Sequence, residues 1–525
     1  MKPQTLVITN FTGQLTRNND GDINSGFAKY DTTHGNNPFT SPGNLTWFEQ
    51  PSSVLTLTGA NGPIIAMRQR VEGAFSYAYS FAKNGNLYKV LSDNDTSSIV
   101  GALPETPSTT RGADMVFYGA TEKIFYADDA TIQKINFTGA GGASIMGVSS
   151  ITSGVPRPLA TFLGKIYYGN GNNIGEIDST ETIITGTKLT PALPVGTYVR
   201  DLDVTPDGNY LQITASKVNP NGGFTAFDLT PGAGTESYKF LWNGTDNGYT
   251  SYETYGGIGL ATNTVFGDKN YSLGYDTDGT AIFSGNQKVV SLPRVNVPYP
   301  GAAFSISNMF GFIAPEYESS SSLMKAAIFT YGQFDREIPE GLFRHLRLTA
   351  PVRTEIQTTP GAISMSNLLY APAFLAYTNN EARPSKLYFT TSESSDGNAA
   401  NDIERLWKFS MFPTGAGSAI GGVYDTQVQL FSKKITAKEV RIYGEPWVAN
   451  NSFRVGLIGS NGASIAGTSK LFEVGNSSTL SAGNDYAWYT PQMQPTYALG
   501  FSITNIGIVN NTITKVEVDF VEAGK

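Results

Sequence analysis

The residues best able to do chemistry in this chain are few and scattered. Its two histidines, His34 and His345, stand in distant parts of the sequence. A Ser-His-Asp arrangement needs one of them set by a carboxylate and placed beside a serine, and neither has such a setting in its local sequence. The pair is not spaced as metal ligands. The chain has no cysteine, which excludes disulfides, thiolate catalysis and Cys-ligated zinc.

Carboxylates and arginines offer more. Thr16-Arg17-Asn18-Asn19-Asp20-Gly21-Asp22-Ile23-Asn24 carries oxygen-bearing side chains at alternate positions around a central glycine, the middle of a calcium loop. Its last ligand position falls on Phe27, which cannot supply the bidentate carboxylate, so a tight Asx and Gly turn is expected and no metal. Asp201, Asp203, Asp207 and Asp268 could serve a hydrolase if they converged, but their settings read as turns and strand ends. Asp276-Thr277-Asp278-Gly279-Thr280 lacks the Ser, spacing and Trp of a sialidase aspartate box. Arg336, Arg344, Arg347 and Arg353 could meet a substrate carboxylate, or form surface pairs. A third group is aromatic: Trp242, Tyr249, Tyr252 and Tyr255 surround Asn243-Gly244-Thr245-Asp246-Asn247-Gly248, a composition suited to a loop contact with sugar or protein. Packing beneath that loop is the other reading. No catalytic residue and no cofactor are assigned.

Composition limits the partners. A formal net charge of −8 and the lack of any cluster of Lys and Arg argue against a nucleic-acid surface. No apolar run is long enough for a membrane-spanning helix, and the opening Met1-Lys2-Pro3-Gln4-Thr5-Leu6-Val7-Ile8 has no secretory h-region. Charged residues make up only 15% and glycines number 57, which suits strands and turns better than helices.

The elements that must position these residues recur. Asn86-Leu87-Tyr88-Lys89-Val90, Lys123 to Asp129 with Ile132 and Ile135, and Lys165 to Asn170 with Ile174 and Ile177 repeat at about 40 residues, the length of a four-stranded propeller blade. Leu202 to Ile213, turning at Pro206-Asp207-Gly208, is a hairpin. Tyr271 to Phe283, Lys325 to Phe329 and Lys386 to Phe389 complete seven units. The fold class expected is all-β: a β-propeller of about seven blades with an N-terminal extended arm and a C-terminal β-sandwich; several sandwiches are the alternative. The expected domains are an arm or strap over 1–50, a propeller over 51–415 and a jelly-roll-like sandwich over 425–525, after a Gly-rich linker. One short helix is expected over Asn401 to Phe409.

The leader Ile8-Thr9-Asn10-Phe11-Thr12-Gly13-Gln14-Leu15-Thr16, continuing Gly21 to Ala28, resembles the N-termini of tailed-bacteriophage virion proteins, which open with an N-F-x-G-G-L phrase; here Gln14 replaces the second glycine of the phrase. Pro42-Gly43-Asn44-Leu45-Thr46-Trp47 and Ile435 to Tyr443 are similar to segments of such proteins. The resemblance implies a non-enzymatic structural protein of the virion, tail- or neck-associated, assembled in the host cytoplasm. Its partners would be other virion proteins and copies of itself in a homo-oligomeric ring. Phe11, Leu15, Phe27, Tyr30 and Trp47 would form an assembly arm, so that deleting 1–50 would leave the body folded and abolish co-assembly. The alternatives are a virion adhesin that binds a host glycan or receptor through propeller loops, and a propeller glycosidase.

Overall fold

In a computed structural model, the chain forms seven four-stranded antiparallel sheets and one curled eight-stranded sheet. The structure describes residues 3–9 and 45, most of 51–102, 114–144, 151–217, 236–292, 303–351, 373–376, 386–393 and 403–410, residue 295, and most of 422–522. Two compact units result: 52–326 with 350–408, and 1–51 with 327–349 and 409–525.

Each of the seven sheets is a meander. Blade 1 runs Ile64–Glu72, Phe75–Ala82, Asn86–Leu91, Ser97–Ala102; blade 4 runs Thr197–Val204, Leu211–Lys217, Glu236–Trp242, Tyr249–Gly256. The first strands, which also include Met115–Tyr118, Leu159–Phe162, Gly259–Phe266, Ala303–Ile306 and Ala373–Ala376, each lie beside the first strands of the blades before and after. They close a ring, so the protein is a seven-bladed β-propeller. Blade 7 takes its outermost strand, Ser52–Thr58, from the start of the propeller sequence, where it pairs with Ile403–Ser410. That exchange ties first blade to last without an exposed seam.

The seven recurring sequence units fall one in each blade, though not at one position. Lys123–Ala127 and Lys165–Gly169 are second strands, whereas Asn86–Leu91 is a third. Apolar side chains fill the spaces between blades: Phe162 and Tyr167 of blade 3 pack with Val199, Ile213, Phe240 and Trp242 of blade 4. In two blades a glycine makes room for a cross-strand aromatic ring. Tyr168 lies opposite Gly175 and Phe304 opposite Gly311, and a Cβ on either glycine would fall inside the ring.

The helix expected over Asn401 to Phe409 is instead the strand Ile403–Ser410. Leu406 and Phe409 are buried there, and Trp407 donates its indole N–H to Thr391 Oγ1 at 2.8 Å. Helical spacing of Ile403, Leu406 and Trp407 was outweighed by two neighbouring strands offering backbone partners on both sides.

The curled sheet runs in the order Gln4–Ile8, Ile513–Glu522, Gln429–Gly444, Thr496–Asn505, Ser452–Ile458, Lys470–Glu473. Gly422–Asp425 joins the strand Thr496–Asn505, and Tyr486–Tyr489 joins Gln429–Gly444. Its 16-residue strand Gln429–Gly444 pairs first with Thr496–Asn505 and later with Ile513–Glu522, which bends the sheet over an apolar core of Ile442, Trp447, Phe453, Leu499, Phe501 and Val518. This half-barrel is compatible with the small sandwich expected there. Two pieces of the leader belong to it. Gln4–Ile8 is its edge strand, and Leu45, fully buried, exchanges both backbone hydrogen bonds with Ile513 at 2.8 and 2.9 Å.

Candidate functional site

Strand alternation at the inner ring brings charges together from three blades. On blade 4, Arg200 is the extra residue of a β-bulge, since Val199 pairs with Ala215 and Asp201 with Thr214. Beyond the bulge Leu202 turns inward to the core, so Asp201 and Asp203 share the other face. Blade 1 contributes Arg68, one residue beyond buried Met67. Asp114 precedes the first strand of blade 2.

Arg68 and Asp114 form the tightest contact. Arg68 Nη2 donates to Asp114 Oδ1 at 2.8 Å and Oδ2 at 3.1 Å, and Arg68 Nε donates to the Met115 carbonyl at 3.2 Å. The backbone N–H of Leu159, on blade 3, donates to Asp114 Oδ2 at 3.0 Å. One carboxylate therefore joins three consecutive blades.

Electrostatics follow from this crowding. Asp114, with help from Asp203 and Asp201, raises Arg68 above the ordinary guanidinium value. Burial, together with Asp203 and Asp114, pushes Asp201 well above the carboxylate range. Burial likewise pushes Asp203 up to about 6, against the pull of Arg68 and a hydrogen bond from Asp201. Asp201 and Asp203, two residues apart on one face of the strand, therefore each hold a proton more readily than an isolated carboxyl group. Lys239, on the third strand of blade 4 and fully buried, is lowered by burial to about 8, while Glu253 at 3.5 Å and Asp203 favour its charge.

This constellation sets a guanidinium among carboxyl groups at the inner ring. Among the described residues no three His, Asp or Glu side chains converge as metal ligands. What the arrangement does is stitch blades together with charge-assisted hydrogen bonds.

Of the hydrolase candidates, Asp201 and Asp203 lie in the second half of the innermost strand Thr197–Val204, with Asp203 one residue from its end, and neither lies in a turn. Asp207 does cap a turn: it accepts from Thr205 and Asn209, and Gly208 takes φ +72°. Asp276 and Asp278 share Lys288 at a hairpin end. His345 is buried, its Nε2 2.6 Å from Thr330 Oγ1, in a strand-to-strand pair of blade 6.

The loop-contact group needs correction. Trp242 is fully buried, donates to the Thr245 carbonyl, and meets Tyr167 edge-on at 5.0 Å. Tyr255 is fully buried and donates to Glu253. Tyr249 is half-buried against the same core, with its hydroxyl on the Ala192 carbonyl at 3.1 Å. Trp242 and Tyr255 are therefore core rings and not part of a loop surface. The side chain of Tyr252 lies outside the described residues, as do Phe11, Leu15, Phe27, Tyr30, Trp47, the Thr16 to Asn24 loop, Asp268 and the arginines at 336, 344, 347 and 353.

Sequence reasoning missed Arg68, Asp114 and Lys239. A usable signal was present only for Asp201 and Asp203, whose two-residue spacing flanks apolar Leu202. Comparison of the chain with protein-family models and with curated proteins finds no match. Fold and site therefore define the protein as a seven-bladed propeller joined in sequence to a half-barrel sheet.

Proposed function

We propose that this chain is a non-enzymatic structural subunit of a bacteriophage virion, associated with tail or neck, that assembles into a homo-oligomeric ring through its propeller and its N-terminal segment. The observation that carries the reading is the anchoring of that segment. Ile8 pairs with Val516, and Leu45 pairs with Ile513 three residues further along the same strand. Both pairings fall on one strand of the terminal sheet, at points roughly 10 Å apart. The virion-like phrase Asn10-Phe11-Thr12-Gly13-Gln14-Leu15 lies between Ile8 and Leu45 in the sequence. Burying Phe11, Leu15, Phe27 or Tyr30 on a neighbouring subunit contributes roughly 1.5–3 kcal/mol each, before the cost of ordering.

The Arg68–Asp114 pair at the inner ring supports a structural role, since with the Leu159 N–H it joins three consecutive blades. Trp242 and Tyr255, the aromatics that favoured an adhesin acting through propeller loops, are packed in the core.

Deletion of 1–50 is too blunt a test, because it removes an edge strand and a core leucine. Residues 10–43 should instead be replaced by a short Gly-Ser link. Particles from the source lysate are then imaged, with the chain located by labelling and mass spectrometry. The expected result is the intact chain in a symmetric ring and the shortened chain folded but excluded. Incorporation of the shortened chain would overturn the arm, and absence of the intact chain from particles would overturn the virion reading.

A further inference from the structure

The half-barrel carries an aromatic face of its own. Along Tyr486–Tyr489 the side chains alternate, with Ala487 and Tyr489 in the core and Tyr486 and Trp488 outside. Trp488 is 56% exposed, whereas Trp242 and Trp447 are buried. Register places Tyr443 beside Tyr486, with ring centroids 5.1 Å apart, and Arg441 beside Trp488. On the next strand Lys515, Glu517 and Asp519 continue the same face.

The charges on this face are closed on one another. Arg441 donates to Glu517 at 3.0 Å, to Glu439 at 3.1 Å and to both oxygens of Asp519 at 2.8 Å. Lys515 pairs with Glu517 at 3.0 Å and sits 3.8 Å over the Tyr443 ring, whose hydroxyl also donates to Glu517. Two cations thus face three carboxylates at hydrogen-bond distance. Among these residues no cation is left over to hold a phosphate, a sulfate or a sialate. A protein partner fits less well, because interface cores are depleted of charge and want a broad apolar patch. Here two exposed rings border an ionic ladder.

From this geometry we infer that the outer face of the half-barrel, at Tyr486 and Trp488 with Tyr443 and Arg441 alongside, is a binding platform for a neutral saccharide. A pyranose ring is amphipathic in the same way as the platform. Its C–H face packs on an aromatic ring, and its hydroxyls bond to polar groups at the ring's edge. Tyr486 and Trp488 stand two residues apart on a strand, roughly 7 Å, so both rings rise from the same face. Arg441 and Glu517, held rigid by their own network, border that face with fixed donors and acceptors. The inference is independent of whether the chain is assembled in a virion.

The full chain is applied to immobilised neutral glucans, mannans and galactans beside sialylated and sulfated glycans. Trp488→Ala, Tyr486→Ala and Trp488→Phe are run in parallel, and far-UV circular dichroism and melting confirm folding. Retention on at least one neutral glycan is expected. It should fall tenfold or more in Trp488→Ala, recover in part in Trp488→Phe, and change little between 0.1 and 0.5 M salt. The inference is overturned by no retention on any neutral glycan, by retention that both alanine variants keep, or by selective salt-sensitive retention on the charged glycans. A change in oligomeric state in Trp488→Ala, seen by sedimentation without loss of glycan retention, would assign the face to a second copy instead and likewise overturn it.

Discussion

Arg68 Nη2 lies 2.8 Å and 3.1 Å from the two oxygens of Asp114, so one nitrogen of the first blade is shared by a whole carboxylate beside the second. The same carboxylate receives the Leu159 N–H of the third blade, and Arg68 holds the Met115 carbonyl as well. A ring of blades that touch chiefly through apolar faces is thereby given fixed angular positions at its inner edge.

Asp114→Ala removes the acceptor for Arg68 and for two backbone N–H groups, those of Met115 and Leu159. The Arg68 side chain is 43% exposed, so water relieves part of the loss. A destabilisation of about 2 kcal/mol is expected from urea unfolding of the full chain. An unchanged midpoint would show that the clamp contributes nothing to stability.

Asp203 makes stability depend on pH in an unusual direction. Its folded pKa of about 6 lies above the unfolded value of about 3.9, so the native state binds the extra proton between them. Its contribution is therefore fully favourable below about pH 4 and is lost as pH rises toward 6 and beyond. Glu72, Glu181 and Asp519 are shifted down by their cationic and hydroxyl partners and act in the opposite sense at low pH. Asp203→Asn isolates the effect: the variant should match the parent near pH 4 and exceed it at pH 7.5. Equal unfolding midpoints at both pH values would rule the shift out.

Trp242→Ala and Trp488→Ala separate core from surface. Trp242 packs on Phe162 and Tyr167 of the neighbouring blade, with centroids at 6.2 and 5.0 Å, and its loss should cost about 3–5 kcal/mol. Trp488 is 56% exposed, and its loss should stay within about 0.5 kcal/mol. Thermal melts of both variants give the comparison, and the reverse ranking would contradict the burial of Trp242.

Gly175→Ala tests the ring-over-glycine pairing. Tyr168 is fully buried across from Gly175, and the new methyl would occupy space its ring fills. Overpacking should cost about 1–3 kcal/mol. A variant as stable as the parent would mean that Tyr168 has another rotamer available, and a crystal structure of that variant would show it.

Blade number was legible in the sequence because each blade needs at least one strand buried on both sides, and such a strand prints as an apolar run such as Ile124-Phe125-Tyr126-Ala127 or Ile166-Tyr167-Tyr168. The Asp207-Gly208 turn was legible for a local reason, since a hairpin end needs a left-handed residue that glycine supplies. Strand against helix at Ile403–Ser410 was not, because eight residues of mixed periodicity carry too little signal and the neighbouring strands decide.

By itself, then, the sequence determined the all-β class, the turn positions and which runs must be buried, all of which follow from short-range patterning of apolar residues and glycine. Only the tertiary structure decided which of those strands would be innermost. Ring closure set Arg68 against Asp114 and put Trp242 inside a core between two blades. Side chains far apart in the chain meet only when the ring closes, and no local pattern encodes the register at which it does.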